Sequence, residues 1–177
     1  MTKMMSAAKK ASWFVLTLCS LPLEAATWRY AIEESLSEVQ GVYAAKFKEI
    51  IESNSDHRVL IYPFGTLGES ADVMEQAQAG ILQFVDQSPG FTGSLIPETQ
   101  LFLMPYILPE KKSEIRYFYK NAKVIKENFK ALYAKQDLEL LRMFPEGTVA
   151  ITTQKEFRSP EDLKGQKIRV MTSPLLV

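Results

Sequence analysis

The front of this chain alternates strand-like and helical stretches with short links, and that order constrains the fold more than any other feature. Trp28-Arg-Tyr-Ala-Ile32 reads as a first strand, Arg58-Val-Leu-Ile-Tyr62 as a second and Ile81-Leu-Gln-Phe-Val85 as a third. Between them, Ser35-Leu-Ser-Glu38 is a capping box opening a helix in which Val39, Val42, Tyr43, Phe47, Ile50 and Ile51 recur at helical spacing and predict one buried face. A second helix is predicted from about Ser70 to Gln78, with Val73, Met74 and Ala77 inward and Gly80 closing it. Strand, helix, strand, helix, strand is the signature of an α/β fold: a mostly parallel sheet covered by helices. Ligands of such sheets collect at the carboxyl ends of the strands. Glu33-Glu34 follows the first strand, and Gln87 to Phe91 follows the third.

Beyond this core, Thr99 to Leu108 is a continuous apolar stretch, readable as a buried strand or a turn of core helix. One or two helices are predicted over Ser113 to Gln136, with Tyr117, Phe118, Ile125, Phe129 and Leu132 inward, then strands at Leu138 to Phe144 and Val149 to Thr153. Ser159, Pro160 and Asp162 form a helix-start signal closed by Gly165, and Lys167-Ile-Arg-Val-Met171 alternates like a strand.

The N-terminus and the rarer residues limit the chemistry. Lys3, Lys9 and Lys10 precede an apolar run from Ala11 to Leu23 and the small residues Ala25 and Ala26, the pattern of an export signal cleaved after Ala25 or Ala26. That run falls short of the roughly 20 residues a spanning helix needs. Cys19 is the only cysteine and would leave with the signal, and His57 is the only histidine, read as a solvated turn residue. Disulfides, a cysteine nucleophile, a histidine-dependent triad and a multi-histidine metal site are thereby excluded. Removing Lys3, Lys9, Lys10 and Glu24 from 21 basic and 21 acidic residues leaves 18 against 20, no electrostatic footprint for nucleic acid. Neither a metal nor a cofactor is expected.

Three candidates then stand out, one of them a pair of residues. Arg169 places a permanently charged planar fork in an apolar strand, where a carboxylate or phosphate pairs it bidentately; the bland alternative is an exposed or structurally paired arginine. Glu33 and Glu34 leave the first strand pointing apart, so only one of them can face a cleft; the alternative is a solvated pair at a helix entrance. Phe91, between Pro89-Gly90 and Gly93, is either a plug for the core or a π-face for a ligand. Together they offer a fork for a carboxylate, a partner for a cation and a face for a delocalised positive ring, which suits a small zwitterion. Nothing in the set supplies a nucleophile or a tuned general base, so binding without turnover is the economical reading.

The opening Trp28-Arg-Tyr-Ala, Tyr62-Pro-Phe-Gly-Thr-Leu-Gly-Glu69, Gly80-Ile-Leu-Gln-Phe-Val, Phe102-Leu-Met-Pro-Tyr106 and Lys164-Gly-Gln-Lys-Ile-Arg169-Val-Met resemble, in order and spacing, the periplasmic solute receptors of tripartite ATP-independent periplasmic (TRAP) transporters. Gln87 to Pro97 and Met143-Phe-Pro-Glu-Gly147 resemble the branch that receives ectoine and hydroxyectoine. The resemblance implies a type II clamshell with TRAP permease subunits as partners. It gives the arginine at Arg169 the ligand carboxylate, the glutamate at Glu34, or else Glu33, the ring amidinium, and the phenylalanine at Phe91 the ring face, with Gln87 beside them. It also implies a division into a signal peptide (1–25), lobe one (26–148) and a crossing strand with the start of a truncated second lobe (149–177), since receptors of this family are considerably longer. C4-dicarboxylates and other organic acids are the alternative ligands.

Overall fold

The computed structural model describes residues 25–177, so the expected export signal, Ala25 apart, lies outside the described residues. Side chains of a strand alternate between faces, and Thr27–Ile32 (β1) uses both. Tyr30 and Ile32 pack with Ala44 and Val59, against Trp28, Phe47 and Phe84, on one face. Ala31 packs with Val73 and Leu82 on the other. Helix α1 (Val39–Asn54) covers the first face and α2 (Ser70–Gln78) the second.

Strand β1 lies in the middle of the sheet. Arg58–Tyr62 (β2) pairs with it in parallel from Thr27↔Arg58 to Ala31↔Tyr62. Phe84–Asp86 (β3) pairs on the opposite edge from Tyr30↔Phe84 to Ile32↔Asp86. The order is therefore β2-β1-β3. The third strand begins later than its apolar run predicts. The amides of Ile81 and Leu82 both donate to Gln76 O and complete the end of α2, while Gln83 caps the edge of β1 through Arg29 N and O.

A four-residue helix, α3 (Pro89–Thr92), follows β3 directly and leads into a 3₁₀ helix over Pro97–Leu103, where a strand or core helix turn was expected. Helices α4 (Lys112–Asn121) and α5 (Lys130–Ala134), joined through a π-helical turn at Val124–Phe129, form a second cluster. There Ile125, Phe129 and Leu140 are buried among Phe102, Phe118 and Leu132, whereas Tyr117 is exposed.

Further expectations change. The buried face of α1 is not the one that its apolar residues mark: Gln40, Gly41 and Ala44 are buried, with Phe47 and Ile51 half-buried, while Val39, Val42 and Ile50 are exposed. The segments 138–144, 149–153 and 167–171 form no strands, because a strand exists through its hydrogen-bonded ladder and none of these has one among the described residues. His57 is also more than a solvated turn residue: its Nδ1 accepts a hydrogen bond from Ala26 N at 3.0 Å and its ring lies 4.5 Å from Trp28.

Gly41 is buried because the turn before α1 presses on it: a Cβ there would run into Ser35 O and the Leu36 backbone. Gly→Ala inside a helix is ordinarily favourable by about 1 kcal/mol. Gly41→Ala should instead destabilise by roughly 2 kcal/mol or more, as overpacking against backbone does. Urea unfolding checks this, and a variant as stable as the wild type would mean that the Ser35–Leu36 turn yields freely.

Candidate functional site

The parallel pairing brings the carboxyl ends of all three strands to one edge, and the acidic residues that leave them meet there. Glu33 turns inward. Its Oε2 accepts from Ser88 N at 2.8 Å, just before α3, and its Oε1 lies 3.5 Å from Ser70 Oγ at the start of α2. One carboxylate thus ties the exits of β1 and β3 to the entrance of α2. Burial pushes the Glu33 carboxyl up to about 7 despite the Ser88 hydrogen bonds, with the charge of Glu146 adding to the rise. Asp86, at the end of β3, is likewise raised to about 7, by burial first and then by the charges of Glu146 and Glu34. Burial and Asp86 hold the Tyr30 phenol well above its usual range.

Glu34 points the other way, as two adjacent residues leaving a strand must. Its Oε2 accepts from Gln40 N at 2.8 Å, in the first turn of α1. It lines a shallow groove of about 530 Å³ together with Ser37, Glu38, Val39 and Val42. A larger groove, about 660 Å³, lies against α4 between Pro109 and Ala122 and contains none of the sequence candidates. The Ser35–Glu38 capping box is half formed: Ser35 N donates to Glu38 Oε2 at 2.9 Å, but the helix begins only at Val39.

Arg169 and Phe91 come together, with the guanidinium carbon 6.0 Å from the ring centroid, within cation–π range. Their meeting follows from how segment 169–175 docks. Met171 lies directly against Gly90, where any Cβ would collide with its sulfur, and Ser88 Oγ is 3.4 Å from Met171 Sδ. Two residues on, Ser173 Oγ and Leu175 N both donate to Gln100 Oε1, at 2.7 and 2.8 Å. Arg169 is exposed and, among the described residues, forms no ion pair. Gln87, between Asp86 and α3, is half-buried, and Gln87 Oε1 and Asp86 Oδ2 are buried acceptors without a hydrogen-bond partner among the described residues.

The sequence candidates thus fall into two groups. Glu33, Gln87, Phe91 and Arg169 cluster around α3, whereas Glu34 sits at the α1 entrance. Two further residues join the second group. Gln40, 1% exposed, donates from Nε2 to Glu146 Oε1 at 2.7 Å. Burial raises the Glu146 carboxyl, with the Gln40 hydrogen bond opposing it and the Glu34 charge adding to it, although much of the residue surface faces solvent. The sequence signal for Gln40 was a polar residue at an apolar-face position, four, seven and eleven residues before Ala44, Phe47 and Ile51. Glu146 carried no such signal. Its segment reaches the site because Phe144 stacks on Tyr43 at 4.9 Å and 21°.

The four carboxylates Glu33, Glu34, Asp86 and Glu146 make no ion pair with lysine or arginine among the described residues. Nor do the described residues contain a His, Cys, Asp and Glu group arranged to hold a metal ion.

A parallel sheet covered by helices on both faces is the architecture of one lobe of a type II binding-protein clamshell. The model of the bacterial extracellular solute-binding protein family 7 (DctP) matches residues 30–177, and the chain belongs to that family, as the resemblance implied. It is 62% identical over 154 residues to the ectoine/5-hydroxyectoine-binding periplasmic protein UehA of Ruegeria pomeroyi, covering 87% of this chain and 45% of that protein. It is 54% identical over 149 residues to the ectoine-binding periplasmic protein TeaA of Halomonas elongata, covering 84% and 44%. The solved structure of the periplasmic ectoine-binding protein from the Halomonas elongata TeaABC TRAP transporter superposes with a TM-score of 0.81, over 85% of this chain and 48% of that one. The chain therefore spans just under half the length of these relatives.

The raised carboxyls set a pH dependence. A carboxyl whose folded pKa lies above its unfolded value contributes fully below the ordinary carboxylate range, about 4, and that contribution is lost as pH rises through the folded value. For Glu33 and Asp86 the window runs from there up to about 7. Glu38, Glu52 and Asp162 are held below their usual range and lose their contribution only in more acid solution. The melting temperature should consequently rise as the solution is taken from about pH 8 to about pH 5.5, and Glu33→Gln should flatten the profile. A wild-type profile that is flat, or that falls toward acid over this range, would show that both carboxyls are ordinarily solvated.

Proposed function

We propose that this protein is a periplasmic receptor subunit of a TRAP transporter, capturing a small zwitterion of the ectoine class and delivering it to membrane permease subunits. Residues 1–25 serve as its export signal, and it binds without chemical turnover. The observation that carries this reading is the layout of charge. Among the described residues, Arg169 stands over Phe91 without an ion pair, and Glu34 and Glu146 form none either. A ligand bearing a carboxylate and a delocalised cation complements both ends. A dicarboxylate would meet repulsion at the acidic one. The names of the relatives at 62% and 54% identity, both ectoine-binding, support the same ligand.

Each side chain then has one task. The Arg169 fork holds the ligand carboxylate bidentately, Phe91 faces the ring, and Glu34 accepts from the amidinium N–H groups. Glu33, its oxygens already engaged by Ser88 and Ser70, holds the strand ends in place instead of reaching the ligand.

Calorimetry on the full-length protein tests the reading. Arg169→Ala should weaken ectoine by at least about a hundredfold, since it removes both charge-assisted hydrogen bonds of the fork, each worth roughly 1.5 to 3 kcal/mol. Unchanged affinity would remove Arg169 from the site. Wild-type protein should prefer ectoine to succinate, and Glu34→Gln should narrow that preference by about tenfold or more, the effect of losing one charge-assisted contact. Equal affinity of the wild type for the two ligands would defeat the zwitterion assignment.

A further inference from the structure

Gln40 is the one fully buried amide of α1, on a face otherwise given to Ala44, Phe47 and Ile51. A buried amide is costly unless its polar atoms are satisfied. Here Oε1 accepts from Glu33 N at 2.8 Å, Nε2 donates to Glu146 Oε1 at 2.7 Å, and the backbone N–H donates to Glu34 Oε2 at 2.8 Å. An N–H on one side and a carboxylate on the other leave no freedom to exchange amide oxygen and nitrogen. One residue thus touches both members of the Glu33-Glu34 pair and a carboxylate 106 positions away.

We propose that Gln40 is a positioning residue of the binding site, whose amide holds the Glu146 carboxylate beside that of Glu34, so that the two together select for a cationic ligand group. This assignment rests on the proposed role of Glu34, and it makes Glu146 a second specificity determinant. Like charges at close range repel, and two carboxylates stay side by side only where donors fix them. Gln40 supplies a donor to each, from its backbone to Glu34 and from its side chain to Glu146. The ionisable groups coupled to the pair are Glu33, Asp86 and Tyr119, and among the described residues no lysine or arginine forms an ion pair with either carboxylate. The Gln40 hydrogen bond lowers the Glu146 pKa against burial and the Glu34 charge. Without it, Glu146 takes up a proton more readily or swings into water.

The test compares wild type, Gln40→Met and Glu146→Gln in the full-length protein. Calorimetry reads two ligands: ectoine, and cyclohexanecarboxylate, which has a six-membered ring and the carboxylate but no cation. Carbon-detected NMR titration reads the Glu146 carboxyl in wild type and Gln40→Met. Gln40→Met should weaken ectoine by about tenfold, the scale of one charge-assisted hydrogen bond, while leaving cyclohexanecarboxylate within about twofold, and should move the Glu146 titration upward. Glu146→Gln, at a residue with an exposed surface, should reproduce the selective loss and carries the test if Gln40→Met does not fold. Equal weakening of both ligands in Gln40→Met, or an unmoved Glu146 titration, would reduce Gln40 to a structural cap. A Glu146→Gln variant with wild-type discrimination would overturn the role of Glu146. If wild-type protein takes up no ectoine, the functional reading fails, while the Glu146 titration still decides whether Gln40 controls its charge.

Discussion

The parallel pairing of β1 with both of its neighbours is the constraint on which the molecule depends. With β2 on one side and β3 on the other, every link between strands must cross a face of the sheet before the chain re-enters from the same end. Helices therefore cover both faces, and all three strands discharge their last residues at one edge. Glu33, Glu34, Asp86 and Gln87 are neighbours in space for that reason alone, although the two pairs are more than 50 positions apart in sequence.

Bringing carboxylates together at a protein edge is unfavourable unless donors compensate them. Here the compensation comes mostly from neutral groups: Ser88 N and Ser70 Oγ for Glu33, and the two nitrogens of Gln40 for Glu34 and Glu146. Neutral donors stabilise a negative charge without cancelling it, so the edge keeps an attraction for a cation that a salt bridge would have quenched. On the α3 side, by contrast, Arg169 is held by the docking of Met171 on Gly90 and by the Gln100 clasp on Ser173 and Leu175. The two poles rest on different mechanical supports, one within the sheet edge and one on a docked segment.

Much of the sheet was legible in the sequence, since β2 and α2 fall where their residues predict and β1 begins one residue earlier. Local periodicity encodes these elements directly. It failed for α1, where apolar residues mark both sides of the helix and the buried side is chosen by a glycine, an alanine and a glutamine. It failed again at 138–144, 149–153 and 167–171, because alternation describes a surface that is able to pair, and pairing needs a partner strand that periodicity does not supply. The sequence marked residues that are odd for their setting, Arg169 in an apolar run and Phe91 among glycines, and the fold brings these two together. Glu146 is an ordinary acid in an irregular segment, which the stack of Phe144 on Tyr43 holds against α1, within reach of Gln40.

The central position of β1 also bears on the order in which the chain gains structure. No hairpin is available to start this sheet, since the first pairing closes a loop of 31 residues, Thr27 to Arg58, and the second one of 54, Tyr30 to Phe84. Loop closure must precede any gain from either ladder, which makes such topologies slow to organise. A ribosome reading from the first codon releases β1 long before its second neighbour exists. The strand that ends as the most enclosed part of the sheet therefore waits longest for its full set of hydrogen bonds.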